Sequence, residues 1–383
     1  MKKKLLAIIS LVLIACFTLS ACGAKTTDTT TTTDTTSDQK GLSIFMYVVQ
    51  SLGNLSCEDL IYESVTEFCN ETGSTLNYFE AKSDDSLADT TLNEICSSGD
   101  YDIIITGYWN MPEYVVKAAQ NYPDQKWIVF DAQVDYTQPN TSNIMSFSIE
   151  QNTLAFMAGS LAALLTESNG RYANPEKVIG FVGGGQNTAI EDFLVGYIEG
   201  AHYVDPAINV LYSYVGNWDD SAKAKELALA QYNEGADVTF GVCAPASFGC
   251  CEAAAETQRY NIGVDSDHSG ILEKSGSATA NYVVTSAIKQ FGWMMKDVLY
   301  TVLDGTAVWG QHKSFGVETG YLTLIETPQF KELFEDELPD EYAKYQQIVA
   351  DLTAGKIKVD TAFGATEAEL QAIKDGASGN AAA

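Results

Sequence analysis

Two doubly wound α/β lobes facing a common cleft are the architecture this chain predicts, on three observations. Short, nearly continuous apolar segments alternate with amphipathic stretches of helical length from residue 42 onward. The alternation runs in two series of similar length, 41–150 and 151–280. The turns between segments carry breakers such as Asp205-Pro206 and Glu234-Gly235.

In the first series, strands are expected over 42–49, 75–79, 103–106, 127–130 and 144–147, because each reads as the apolar run of a parallel strand covered on both faces. Helices fall over 59–72, 87–97, 112–122 and 151–166. The second series has strands over 178–182, 209–214, 238–242 and 261–264, with helices over 189–203, 220–234 and 249–258. A further strand over 281–285 leads into a long helix over 286–303, which Asp304-Gly305 ends. On this reading the first lobe spans 41–150 and is completed by about 281–304. The second spans 151–280 and is completed by about 305–325. Residues 326–383 form an acidic extension, helical to about Gly355, that covers a lobe. A ligand would bind between the lobes, at the carboxyl ends of the strands, where loops and helix N-termini converge.

The first 22 residues predict where the chain resides. Lys2, Lys3 and Lys4 precede an apolar run to Leu19, and Leu19-Ser20-Ala21-Cys22 closes it. The run is too short for a comfortable membrane span and reads as a secretory signal, residues 1–21. The last four residues resemble a bacterial lipobox, which implies cleavage before Cys22 and a diacylglyceryl group on its thiol. Residues 22–40 follow as a lipidated cysteine and a Thr/Asp-rich tether with too little apolar surface to fold. A tether of this length holds the body roughly 25 Å from the bilayer. The expected location is the extracytoplasmic face of the cell membrane, with the bilayer held through Cys22.

Charge narrows the partners. The chain carries a formal −29, and removal of the three lysines in residues 1–21 takes it to −32. Such an excess of acid excludes nucleic acid as a partner. Of eight cysteines, Cys16 leaves with the signal and Cys22 is the lipidation site. Cys57, Cys69, Cys96, Cys243, Cys250 and Cys251 match no zinc spacing and are expected mostly as free, buried thiols, with Cys69–Cys96 the pair to check for a disulfide. There is no G-x-x-x-x-G-K-[ST] loop and no G-x-S-x-G elbow, and Gly183-Gly184-Gly185 lacks the lysine of a phosphate loop. His202, His268 and His312 make no metal spacing, although His268 beside Asp267 is placed to reach the cleft. No catalytic residue, metal or cofactor is expected.

Several long segments carry a family resemblance. These are Ile103 to Trp109, AAQNYPDQKWIVFDA (118–132), LAFMAGSLAALLTES (154–168), the segment 179–210, YVGNWDDSAKAKELALAQYNEGAD (214–237) and IGVDSDHSG (262–270). Together they resemble the basic membrane protein family over about 42–325. The resemblance implies a type I periplasmic-binding-protein fold, two doubly wound Rossmann-like lobes around a ligand cleft. It also implies a substrate-binding lipoprotein of an ABC importer that holds a purine nucleoside.

The same resemblance suggests site residues. Asp131 matches a ligand-contacting aspartate, Trp218 stands where the family has a stacking Phe, Asp265 matches the ribose-binding carboxylate with Asp267 beside it, and Lys289 matches the family's lysine. These residue types suit a nucleoside, since a carboxylate accepts two hydrogen bonds from a vicinal diol and an indole stacks on a base. The ordinary alternatives are a structural aromatic at Trp218, helix N-caps at Asp131 or Asp265, and a solvated helix charge at Lys289. Two loops depart from the family pattern. Gly53-Asn-Leu-Ser-Cys-Glu58 puts Asn54, Cys57 and Glu58 where Asp, Phe and Asn are usual, which removes one stacking face that Tyr108 and Trp109 are placed to replace. Glu58 could accept hydrogen bonds from a guanine-like edge or an amine. Ala244-Pro245 stands where the family has a glycine turn, which predicts an altered base pocket.

The expected function is therefore a monomeric, lipid-anchored receptor that delivers a nucleoside-like ligand to an ABC permease. The alternative is a lipid-anchored sensor of the same fold that binds another small molecule and takes no part in transport.

Overall fold

The computed structural model describes residues 41–377; the expected signal, the Cys22 lipobox, the tether and residues 378–383 lie outside them. In the first lobe, β1 (Ser43–Val48), β2 (Thr75–Glu80), β3 (Ile103–Gly107), β4 (Lys126–Phe130) and β5 (Ile144–Ile149) alternate with α1 (Cys57–Thr72), α2 (Ala88–Ser98) and α3 (Pro112–Asn121). The second begins with α4 (Gln151–Thr166), β6 (Val178–Gly183), α5 (Thr188–Val204), β7 (Asn209–Tyr214) and α6 (Ser221–Asn233). It continues through β8 (Val238–Val242), α7 (Phe248–Thr257), β9 (Tyr260–Val264), α8 (His268–Lys274) and β10 (Val283–Lys289). Then come α9 (Phe291–Leu303), β11 (Gln311–Phe315), β12 (Leu322–Leu324) and α10 (Pro328–Lys331), which runs on into a π-helical turn. The extension ends in α11 (Pro339–Thr353) and α12 (Glu367–Gly376).

Two six-stranded sheets result, ordered β11-β5-β4-β3-β1-β2 and β12-β10-β9-β8-β6-β7. All pairings are parallel except β10 with β12. Alternation along β1 shows why its apolar run is continuous. Ile44, Met46 and Val48 join the core beneath α1 and α9, while Phe45, Tyr47 and Val49 join the opposite core with α2 and α3. Cys69 and Cys96 fall in those opposite cores and are not bridged; all six cysteines from Cys57 to Cys251 are free and buried.

The helix α4 is buried along its whole length, in keeping with a sequence that is apolar nearly all round. Glycines let α5 lie directly against it: a Cβ at Gly159 would stand 2.1 Å from the Tyr197 carbonyl, and one at Gly196 would stand 2.0 Å from that of Asn152.

The main departure from expectation is at β10. The strand runs on to Lys289 and the helix starts only at Phe291, because residues 283–289 are all buried between β9 and β12. Burial on both faces overrides the helical pattern expected over 286–303. The expected completion of each lobe also divides differently. The strand β10 belongs to the second sheet and α9 packs on α1 of the first lobe, with Lys296 bonded to Glu67 and Glu71. Strand β11 then pairs with β5 in the first sheet and β12 with β10 in the second. The connecting segments lie side by side, Glu150 donating to Phe315 O (3.0 Å) and Gln290 to Tyr321 O (2.8 Å). The extension, expected to taper after Gly355, instead forms α12 and docks on the second lobe.

Candidate functional site

Four non-glycine residues with left-handed backbone mark the carboxyl ends of the strands: Tyr108 after β3 (φ 69°), Asp131 after β4 (φ 51°), Ala244 after β8 (φ 50°) and Asp265 after β9 (φ 61°). Such conformations are costly for residues with a Cβ and persist where the surroundings over-determine them, commonly at functional sites. At Ala244 the chain keeps a conformation suited to glycine although the residue is alanine.

Charge converges at the same ends. The ammonium of Lys289, at the end of β10, donates to both Asp131 oxygens (2.9 and 3.0 Å) and to Gln151 Oε1 (3.1 Å). Asp131 follows a strand of the first sheet and Lys289 ends one of the second, so this ion pair joins the two lobes. Lys289 is 6% exposed, a buried strand-end charge and not a solvated one on a helix. Burial presses its pKa down, but Asp131 and Asp265 outweigh burial and hold it above the ordinary lysine value. Asp265 is pushed up by burial, against the pull of Lys289 and with a further push from Asp131. The Phe193 and Phe291 rings flank the ammonium at 5.7 and 5.1 Å. The Asp265 side chain makes no hydrogen bond among the described residues, so its acceptors remain open. Neither Asp131 nor Asp265 caps a helix.

Aromatic groups stand on both sides. Tyr108 lies beside Cys57, whose thiol donates to its hydroxyl at 3.1 Å. Burial raises the pKa of both groups, so both stay protonated. Trp109, 82% exposed, stands on the surface next to it. Trp218, 42% exposed, lies flat on the glycine loop after β6; a Cβ at Gly184 would come within 2.3 Å of two of its ring carbons. The Trp218 carbonyl accepts from Ala246 N (3.0 Å), linking it to the Ala244 turn.

Other expected residues have structural partners. Glu58 is fully buried and accepts from the backbone of Val49 (2.7 Å) and Gln50 (3.0 Å), closing the loop after β1; burial lifts its pKa to about 7. Asn54 shapes the same loop, donating to Gln50 Oε1 (2.6 Å) and accepting from Ser56 N (3.0 Å). Asp267 caps α8 through Gly270 N at 2.9 Å. His268 turns inward, stacked on Phe248 at 4.4 Å, and burial drops its pKa to about 4.

Gln151 and Asp192 are not named by the sequence reading. The one signal for them is position: Gln151 opens α4 immediately after the first lobe's last strand of the opening series, and Asp192 lies in the first turns of α5. A concavity of about 700 Å³ lies at the other end of the first sheet. Its Lys126 sits over Trp309 (4.8 Å) and its Asp102 holds Ser43 N (2.8 Å). Among the described residues no cluster is arranged to hold a metal ion, and no helix is long and apolar enough to cross a membrane.

Comparison with known proteins agrees with this fold. Residues 42–353 match the Bmp family model, described as ABC transporter substrate-binding protein PnrA-like. The chain is 28% identical over 262 residues to an ABC transporter nucleoside-binding protein of Lactococcus lactis, covering 66% of this chain and 71% of that relative. It is 26% identical over 364 residues to a lipoprotein of Pyrococcus horikoshii, covering 89% and 84%. An ABC transporter solute-binding protein structure from Aeropyrum pernix superposes with a TM-score of 0.74 at 20% identity, covering 88% of this chain and 98% of that one. The periplasmic-binding-protein fold expected from sequence is the one observed.

Proposed function

We propose a ligand for this chain, which belongs to the Bmp family, the PnrA-like ABC transporter substrate-binding proteins, and is therefore a binding protein of transport and not an enzyme. The ligand is a nucleoside, with purine ribonucleosides first. The observation that carries this reading is the open Asp265 carboxylate, held at a strained strand end opposite the Lys289–Asp131 pair. A carboxylate there accepts both hydroxyls of a ribose, and a deoxy sugar would leave one acceptor unpaired. Trp218 on one lobe and Tyr108 on the other supply flat surfaces for a base. The nucleoside-binding name of the Lactococcus relative supports the same class.

Binding would draw the lobes together, because a ligand that contacts both stabilises the closed state by its differential affinity. The protein then works as a monomer, held at the extracytoplasmic face through a lipid on Cys22, and delivers its ligand to an ABC permease. The lipobox-like Leu19-Ser20-Ala21-Cys22 and the lipoprotein name of the Pyrococcus relative support the anchor.

The test is a thermal-shift screen of residues 23–383 against purine and pyrimidine ribonucleosides, their deoxy forms, free bases and riboflavin. A ligand at 1,000 times its Kd adds about 4 kcal/mol of stability. A shift with ribonucleosides that Asp265→Ala removes is the expected result. No shift with any nucleoside would overturn the ligand and leave the family intact.

A further inference from the structure

Two aromatic rings rest on consecutive glycines, Gly183 at the end of β6 and Gly184 just after it. The Tyr214 ring lies across Gly183, where a Cβ would stand 3.1 Å from its Cδ1, and the Trp218 ring lies on Gly184. Tyr214 pairs with Gly183 at the end of β7. The chain leading from it to Trp218 is tied to the same two glycines, Val215 N donating to Gly183 O and Gly216 N to Gly184 O, each at 2.9 Å. The end of β7 therefore sets where Trp218 lies.

What holds Tyr214 comes from outside the family match, which stops at residue 353. The Tyr214 hydroxyl donates to Glu191 Oε1 of α5 (2.7 Å), and the other Glu191 oxygen forms an ion pair with Lys374 of α12. The side chains of Glu191 and Lys374 are both buried. The Lys374 ammonium also stands 5.8 Å from the ring centres of Tyr212 and Tyr214. The end of α12 is seated on β7, with Val210 N donating to Ala377 O (2.8 Å). Burial and the Glu191 carboxylate raise the pKa of Tyr214, so its hydroxyl stays a donor.

We propose that Lys374, in the C-terminal extension, is a positioning residue of the ligand site: through Glu191 and Tyr214 it fixes the end of β7 and with it the plane of Trp218. The physical reason is the buried carboxylate. Glu191 stays in place to accept from Tyr214 only while a cation compensates it, and among the described residues Lys374 is the one cation paired with it. Without that cation the carboxylate turns toward water and Tyr214 loses its acceptor.

The affinity readout rests on the reading that gives Trp218 to a base, so the test carries a second readout that needs no ligand. The chain is labelled with fluorotryptophan, and the Trp218 line is assigned by its loss in Trp218→Phe. Fluorine NMR then compares the parent chain, Lys374→Met, Lys374→Met with Glu191→Gln, and, as a control, Phe363→Ser at an exposed site of the same extension. Binding of guanosine and adenosine is measured by calorimetry. Lys374→Met is expected to move the Trp218 line and to weaken nucleoside binding about three- to tenfold, and Phe363→Ser to change neither. Glu191→Gln should restore both in the Lys374→Met chain, since a neutral amide oxygen needs no cation and still accepts from Tyr214. A Lys374→Met chain whose Trp218 line stays in place overturns the proposal, even if its unfolding midpoint falls, because α12 is then only a brace. A line that moves and that Glu191→Gln leaves displaced overturns it as well. Should the parent chain bind no nucleoside, the nucleoside reading fails and the Trp218 line alone decides.

Discussion

Lys289 Nζ lies 2.9 Å from Asp131 Oδ1, and the two residues stand at the carboxyl ends of strands from different sheets. In a two-lobed receptor that geometry makes the pair a clasp across the cleft. It also places the cation where two carboxylates, Asp131 and Asp265, need it. Breaking such a pair from one side leaves the partner charge uncompensated, which costs more than the pair itself contributes.

Lys289→Met is therefore expected to destabilise the chain by about 2–3 kcal/mol at pH 8, discounted from a fully buried pair because Asp131 keeps some solvent contact. Asp265, already raised by burial, rises further without Lys289. A carboxyl with a raised folded pKa stabilises below its unfolded pKa and loses that contribution as pH rises through the folded one. The deficit should shrink toward pH 5. Urea unfolding at the two pH values checks this; an equal deficit at both would show that Asp265 does not sense Lys289.

Gly184→Ala should displace Trp218, since the new Cβ would meet its ring at 2.3 Å. Nucleoside affinity is expected to fall about tenfold, the loss of one well-placed stacking contact. Trp218 emission should shift to the red while circular dichroism stays unchanged.

Cys57→Phe, which restores the family's usual residue, is expected to destabilise by about 1–3 kcal/mol, because Tyr108 already occupies that space. Adding Tyr108→Ala should recover part of the loss. A double-mutant cycle with no coupling would contradict the view that Tyr108 replaces the missing ring.

Two buried groups pull the resting pH profile in opposite directions. Glu58, raised to about 7, makes stability fall as pH rises from about 4.5 to 7, because the folded state then binds the extra proton. His268, lowered to about 4, makes stability rise from about pH 4 to 6.5, because there the unfolded state binds it. His268→Gln removes one side of this balance. Relative to the parent chain it should gain about 2 kcal/mol more at pH 5 than at pH 7.5, read from urea unfolding at both.

The central strands were legible because they are buried on both faces and so largely apolar, as β1 and β8 show, whereas the mostly exposed and polar edge strand β11 was not. The end of β10 was not, since Ser286-Ala287-Ile288-Lys289 has helical as well as strand character and only pairing with β9 and β12 decides it. The carboxylates at Asp131 and Asp265 and the lysine at 289 are named only through the family resemblance of their segments. Gln151 and Asp192 are not named, because their partners lie 138 and 169 residues away in sequence. Glu58 read as a binding group from its loop, but both its oxygens are held by backbone amides that no side-chain pattern announces.

The most direct measurement is calorimetric titration of the parent chain and Asp265→Asn with guanosine, adenosine and their 2′-deoxy forms. The parent chain is expected to prefer ribose over deoxyribose by tenfold or more, roughly 1.4 kcal/mol, and Asp265→Asn to lose most of that preference. Equal affinity of the parent chain for ribo- and deoxyribonucleosides, or a preference that survives Asp265→Asn, would contradict the assignment of Asp265 to the sugar.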